Sequence, residues 1–399
     1  MSGARMVMVI TTLAASAALV AGATAAAQAG GGYKILGKFG QTGTGNGQFA
    51  TASNGIAIDG AGVLYIADTD NNRVQVLSKT GGFLRKWGTI GGGNGQFLRA
   101  EDVAVSPDGT VWVADDGNGR IQAFSNAGAF RTSVALPSEA ARGIAVDGDG
   151  NVYVSVEGSR NGGYRKFTST GQPSGGLNGA GNYRADEIEV SPDGSIYLLT
   201  SAVQTDDDRV RRFSADGNQL ASWKLTRGDG TRGIGVDRDC NLWAGDVSQG
   251  GITKYSPSGK RLATAASITG GYVAKDTAVG PTGDIYVLLQ GQGAIRLAED
   301  KSKPATANVP GTITVSGRVA RISYTLSGVA CPAQVPATAT LAGAGIAGKA
   351  AGLKLKAGAK NTITMKLSKA ATGKATFKIV LKTNGRPTTE TRSVKVTVR

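Results

Sequence analysis

The sequence predicts an all-β protein: a six-bladed β-propeller closed by an N-terminal outer strand, followed by a small β-sandwich domain. Three observations lead there. A unit of about 44 residues recurs six times between positions 54 and 290, and a fixed period of roughly 20 to 50 residues marks a stacked or radial architecture. A strand-like run near the start has no partner of its own, and the sixth unit lacks its last strand. Past residue 311 the repeat gives way to short alternating runs rich in lysine.

Residues 1–29 read as a secretory signal peptide. Met1–Arg5 carries a positive end, Met6–Ala27 is an uncharged run of small and apolar residues, and Ala27-Gln28-Ala29 forms the small-x-small pattern of a cleavage site. An uncleaved membrane anchor is the competing reading of so long an apolar run. The Ala-rich, Gly-interrupted end and the cleavage pattern favour removal. No Cys follows the run, which argues against a lipid-modified start, and no later stretch is apolar enough to span a bilayer. The expected location is secreted or extracytoplasmic, with association to the cell envelope as a secondary expectation.

The propeller is expected over residues 30–298. Its first unit, "NGIAIDGAGVLYIADTDNNRVQVLSKTGGFLRKWG", starts at 54, and related stretches begin at 101, 142, 186, 232 and 275. Anchored on the second residue of each, the units sit at 55, 102, 143, 187, 233 and 276. Ten residues beyond every anchor stands an aromatic: Tyr65, Trp112, Tyr153, Tyr197, Trp243 and Tyr286. Seven residues beyond, a Gly closes the turn in five units and Cys240 replaces it in the fifth. Each unit therefore reads as an inner strand, a tight turn, a second strand with the aromatic, a polar loop, a third strand and an outer strand. The sixth unit stops after its third strand, while "YKILGKFG" at 33–40 lies 48 residues ahead of the first unit's outer strand at 81–88. Pairing the orphan with the vacancy removes two exposed sheet edges and closes the ring.

The unit resembles the NHL repeat. The resemblance rests on Gly55-Ile56-Ala57-Ile58-Asp59, Tyr65-Ile66-Ala67-Asp68 and Asn72-Arg73-Val74-Gln75, and in the second unit on Ala114-Asp115 and Arg120-Ile121-Gln122. It extends over about residues 33–298 and weakens in the second halves of units three, four and six. Such a likeness implies a fold more firmly than a function.

Two glycine-rich stretches, "GTGNGQF" at 43–49 and "GGGNGQF" at 91–97, raise the question of a phosphate loop. Such a loop needs a strand before it and a helix after it, whereas here another strand follows. The expected role is to carry the chain from one blade to the next, with Phe49 and Phe97 plugging the gap between blades. Asp68 with Arg73 and Asp115 with Arg120 share a spacing of five and recur, so they read as structural pairs.

Composition removes several chemistries. With no histidine in 399 residues, histidine-based triads and histidine metal sites cannot be built. Cys240 and Cys331 are the only cysteines; they either pair across the domain boundary or remain two separate thiols. The net charge of +15 is uneven: residues 1–300 hold 27 Lys and Arg against 28 Asp and Glu, and residues 301–399 hold 17 against the single Glu390. A near-neutral propeller thus precedes a basic module.

Inner strands start at the mouth of the central tunnel, so the residues around the anchors should ring it. They are Asn54, Glu101 with Asp102, Arg142, Asp186 with Glu187, Arg232, and Lys275 with Asp276. Alternating signs suggest mutual neutralisation or, failing that, a small polar ligand or a cation. The third position of the inner strand is small in five units (Ala57, Ala104, Ala145, Gly235 and Ala278) and is Glu189 in the fourth, where a carboxyl must reach the tunnel or find a partner. "DGDGN" at 147–151 imitates a calcium loop but falls on the blade turn and lacks the loop's closing Glu, and Asp206–Asp208 reads as a solvated loop tip.

Residues 299–311 read as a polar linker and residues 312–399 as a basic, immunoglobulin-like β-sandwich of six or seven strands. The module resembles β-sandwiches appended to secreted bacterial proteins. Its lysines in "LKLKAG", "TMKLSK" and "FKIVLK" serve either as a solvated face that resists aggregation or as a contact for anionic envelope polymers.

The function these readings favour is a secreted, non-catalytic binding or scaffold protein, with the propeller meeting a protein, peptide or glycan and no resident cofactor. The alternative is an enzyme. Amidating and streptogramin-type lyases resemble this architecture but rely on histidines. Lactonase-like propellers bind calcium through carboxylates and Asn, a set that Asn54, Asp102, Glu187 or Asp276 would have to supply. Resemblance to cytoplasmic NHL proteins that grip RNA on a basic face is opposed by the neutral propeller and the export signal.

Overall fold

A computed structural model describes residues 28–29 and 33–299 apart from 138, 158–162, 178–182, 203–207, 226–232, 247–250, 266–267 and 269, and the backbone of the strands between 307 and 398. Residues 1–27, expected as part of a signal peptide, and Cys331, Asp206 and Asp207 lie outside the described residues. Among those described, no helix is long and apolar enough to cross a membrane.

Six antiparallel sheets form the blades of the propeller. In the first, the strands Gly55–Ile58, Leu64–Asp68, Arg73–Leu77 and Phe83–Trp87 pair in chain order from the tunnel outward. Inner strands of the next four blades are Ala100–Val105, Ala140–Val146, Tyr183–Val190 and Ile234–Val236, each followed by three more strands of its own sheet. The sixth blade takes Ala274–Val279, Ile285–Leu289 and Gly293–Glu299 from the end of the ring and Tyr33–Phe39 from its beginning. Tyr33 pairs with Glu299 and Phe39 with Ala294, so the N-terminal strand fills the vacancy. Gln28–Ala29 adds a short strand outside it.

The recurring aromatics explain why the blades stack. All six belong to the second strands and are almost fully buried, and each packs against the following blade. Tyr65 lies with Val103 and Val111, Trp112 with Ala141 and Ile144, and Tyr153 with Ile188 and Ile196. Tyr197 lies with Ile234 and Leu242, Trp243 with Ala274 and Ile285, and Tyr286 with Ile56 and Leu64. Two hydroxyls extend the contact by donating to the next blade's turn, Tyr197 to the Cys240 carbonyl at 2.9 Å and Tyr286 to the Lys79 carbonyl at 3.1 Å. A buried large aromatic with a satisfied polar tip is an efficient inter-blade wedge.

The glycine-rich stretches carry the chain from an outer strand to the next inner strand. Phe49 packs between blades six and one, and Phe97 between blades one and two, as expected. Each stretch is latched by the neighbouring loop. Arg73 Nε donates to Asp68 Oδ2 at 2.7 Å while its Nη atoms donate to the carbonyls of Thr44, Gly45 and Gln48. Gln75 Oε1 accepts from the Gly47 amide. Blade two repeats the device with Arg120 on Asp115, Gly93 and Gln96, and Gln122 on Gly95. The phosphate-loop question closes here: the loop's carbonyls face a guanidinium, and a strand follows.

Cys240 occupies a left-handed turn position (φ 54°) where the other blades place Gly, is buried, and is disulfide-bonded. Most side chains strain there, whereas Gly does not. Beyond residue 311, seven strands from Thr312–Ser316 to Arg386–Val398 are hydrogen-bonded in one sheet.

Candidate functional site

The tunnel mouth is built by a local irregularity of the inner strands. In blade two the ladder passes from Ala100↔Asp115 to Asp102↔Ala114, leaving Glu101 as an extra residue. Blade four passes from Ala185↔Thr200 to Glu187↔Leu199 around Asp186, and blade six from Ala274↔Leu289 to Asp276↔Leu288 around Lys275. In blade three the shift spans Arg142 and Gly143. A bulge re-aims side chains that strict alternation would send to opposite faces of the sheet. Here the extra residues Glu101, Arg142, Asp186 and Lys275 line a pocket of about 40 Å³, together with Asn54, Arg184 and Glu187. That is room for a few waters.

Charges at this mouth are tied to one another. Arg142 pairs with Glu157 at 2.6 Å and lies 3.8 Å from Glu101 and 3.7 Å from Asp116. Arg184 pairs with Glu157 at 3.0 Å and lies 3.9 Å from Asp186. Glu101 also meets Arg99 at 3.1 Å and accepts from Asn54 Nδ2 at 3.1 Å. The neutralisation expected from the sequence therefore exists, but it runs largely through Arg99, Asp116, Glu157 and Arg184, which were not among the expected residues. Asp116 and Glu157 follow or end second strands, so inspection of the inner strands alone misses them.

The anchor carboxyls are buried, Glu187 bordering the mouth and Asp102 and Asp276 away from it. Asp102 accepts from the amides of Val103 and Ile144 at 2.7 Å each, and Asp276 from those of Thr277 at 2.7 Å and Ile56 at 2.8 Å. Glu187 accepts from Ile188 at 2.9 Å. Inner strands have an open edge toward the tunnel, and these carboxyls satisfy its amides, with Asp102 and Asp276 bridging two blades. The other three anchors are Gly55, Gly143 and Gly233, where a Cβ would collide with Asp102, Glu187 and Asp276 respectively. Glycine and carboxyl thus alternate around the ring, a pattern legible in the sequence once the anchors are written side by side.

Burial pushes the Asp102 carboxyl up to about 7 against the opposing amide bonds from Ile144 and Val103. Burial and then the charges of Asp102 and Asp276 hold Glu187 well above the usual range. Burial and then Asp102 do the same to Asp276. Glu189 reaches about 8 through burial and Asp102, so the expected outlier of the small-residue row joins the same group. Desolvation and like charge here outweigh the amide hydrogen bonds. Asp102, Glu189 and Asp276 do not line the mouth pocket, and Arg232 lies outside the described residues. Among the described residues, no three acidic or cysteine side chains are arranged to hold a metal ion.

Residues 54–77 and 97–124 match the NHL repeat family. The chain carries NHL repeats. Both matches fall on blades one and two, where the Asp-Arg-Gln latch of the NHL unit is intact. Over 120 residues the chain is 33% identical to Protein brain tumor of Drosophila melanogaster, covering 29% of this chain and 12% of that one. Among solved structures, the Streptogramin B lyase structure aligns at a TM-score of 0.48 with 14% identity, over 66% of this chain and 97% of its own. The RRP9 WD40 repeats align at 0.46 with 9% identity, over 66% and 96%.

Proposed function

We propose that this NHL propeller is a secreted, non-catalytic binding scaffold that meets a protein, peptide or glycan on the face carrying the tunnel mouth, while the basic C-terminal module associates with the cell envelope. One observation carries the reading. The mouth offers only about 40 Å³, far below the roughly 300–1,000 Å³ of a small-molecule site, yet the crossings around it expose large apolar side chains. Ile90 is 68% exposed, and Leu98 and Tyr272 are also exposed. A broad rigid face with apolar points and a paired-charge centre suits surface contact better than enclosure of a substrate. The 17 basic residues after position 300 supply the attraction to anionic polymers.

The test is retention of the full mature chain on purified cell-envelope material at low and high salt. Changing Lys354, Lys356, Lys366 and Lys378 to Gln should remove the salt-sensitive part. Ile90→Asp with Leu98→Asp should remove the salt-resistant part. Retention unchanged in both variants would sink the reading.

A further inference from the structure

Three anchor carboxyls, Asp102, Glu187 and Asp276, are buried against the glycine anchors of the adjoining blades, and Glu189, two residues beyond Glu187 on the same inner strand, is half-buried; like charge acts among them and, on Asp102, from Glu101. Asp102 accepts from the Ile144 amide, and the Glu187 carboxyl lies where a Cβ on the adjoining Gly143 would stand, so both carboxyls reach the same blade seam. Among the described residues, the counter-charges near them, Arg142, Arg184 and Lys275, sit at the mouth with Glu187. Inner strands one and five, Gly55–Ile58 and Ile234–Val236, carry no titratable side chain. Blade two adds Glu101 beside Asp102 and Asp115 at the end of its second strand, which Arg120 holds. Blade three contributes Arg142, which Glu157 holds. Blade four adds Asp186 and Arg184, which also meets Glu157, and blade six adds Lys275 at the mouth.

We propose that these four carboxyls form a proton-held seam: bound protons let the inner strands of alternate blades close around the tunnel, and loss of those protons loosens the ring. The geometry supplies the mechanism. Asp102 joins blade two to blade three and Asp276 joins blade six to blade one through amide bonds, and glycine anchors make room for the carboxyls. Full ionisation would place several like charges in a low-dielectric channel whose walls are those same strands. Repulsion then acts directly across the blade seams.

The sign follows from linkage. These acids hold protons in the folded chain that the unfolded chain releases near pH 4. Their contribution to stability is therefore fully present near and below that range and is lost as pH rises, through about 7 for Asp102 and about 8 for Glu189. The chain has no histidine, so no imidazole titrates within this window.

Urea denaturation of the full mature chain, followed by tryptophan fluorescence from pH 5 to pH 8, tests the seam. All four tryptophans, Trp87, Trp112, Trp223 and Trp243, lie in the blades and report on the propeller. The unfolding equilibrium constant should rise with pH by about tenfold per unit for each proton retained. Glu189→Gln, at a position where other blades carry Ala or Gly, should fold and lower that slope by about one proton. Asp102→Asn should do the same. A flat profile in the wild type, or an undiminished slope in both variants, would overturn the proposal. So would a slope abolished by millimolar calcium, since a cation would then be what the tunnel holds.

Discussion

Two sets of buried carboxylates within the propeller meet different partners. Asp68 and Asp115, in the loop latches, are fully buried and each faces a guanidinium at 2.7 Å that also holds the crossing loop. Asp102, Glu187 and Asp276, in the tunnel, are as deeply buried but face amides and one another. The former are ion pairs built into the repeat. The latter are pushed toward the neutral form. Burial alone does not decide how a carboxyl behaves; its partner does.

The largest effect should come from breaking a latch. Arg73→Met leaves Asp68 buried without its guanidinium and frees three loop carbonyls, so urea denaturation should show a loss of about 3–5 kcal/mol. A loss below about 1 kcal/mol would remove the latch from the account of why the repeat keeps this pattern. Next is Gly143→Ala, whose Cβ would collide with the Glu187 carboxyl and the Ile188 amide. About 1–3 kcal/mol should be lost, whereas Gly60→Ala, with nothing within 4 Å of its Cβ, should be close to neutral.

The contrast sharpens further with pH. Asp102→Asn should reduce the fall in stability between pH 5 and pH 8 by about one proton's worth of slope, whereas Gly60→Ala, with open space at its Cβ, should leave that slope unchanged. If both variants change the slope alike, the tunnel carboxyl is not its source. The smallest effect is expected from Ile90→Ser, which should shift stability by less than about 0.5 kcal/mol because the side chain is exposed.

Much of the fold was legible because the period imposes it. The aromatic ten residues past each anchor, the orphan strand at 33–40 and the Asp-Arg spacing of five all map onto wedges, ring closure and latches. The tunnel was less legible. Glu101-Asp102 and Asp186-Glu187 look interchangeable as sequence, and the bulges send Glu101 and Asp186 to the mouth and Asp102 inward, while Glu187 borders the mouth and also reaches the seam. The partners of Arg142 escaped for a related reason: Glu157 comes from the far end of a second strand, fifteen positions away. Strand alternation predicts which face a side chain takes but not where the ladder slips, and a slip of one residue changes the destination of its neighbours.

Ring closure by the N-terminal strand places both ends of the propeller in one blade, on neighbouring strands, with Tyr33 opposite Glu299. A segment joined to either end therefore departs from the same sector of the rim. Folding carries the matching cost: the first strand synthesised must wait for the last blade before it can pair. Closure is the propeller's longest-range step, and a chain interrupted anywhere before residue 293 leaves that strand without its partner.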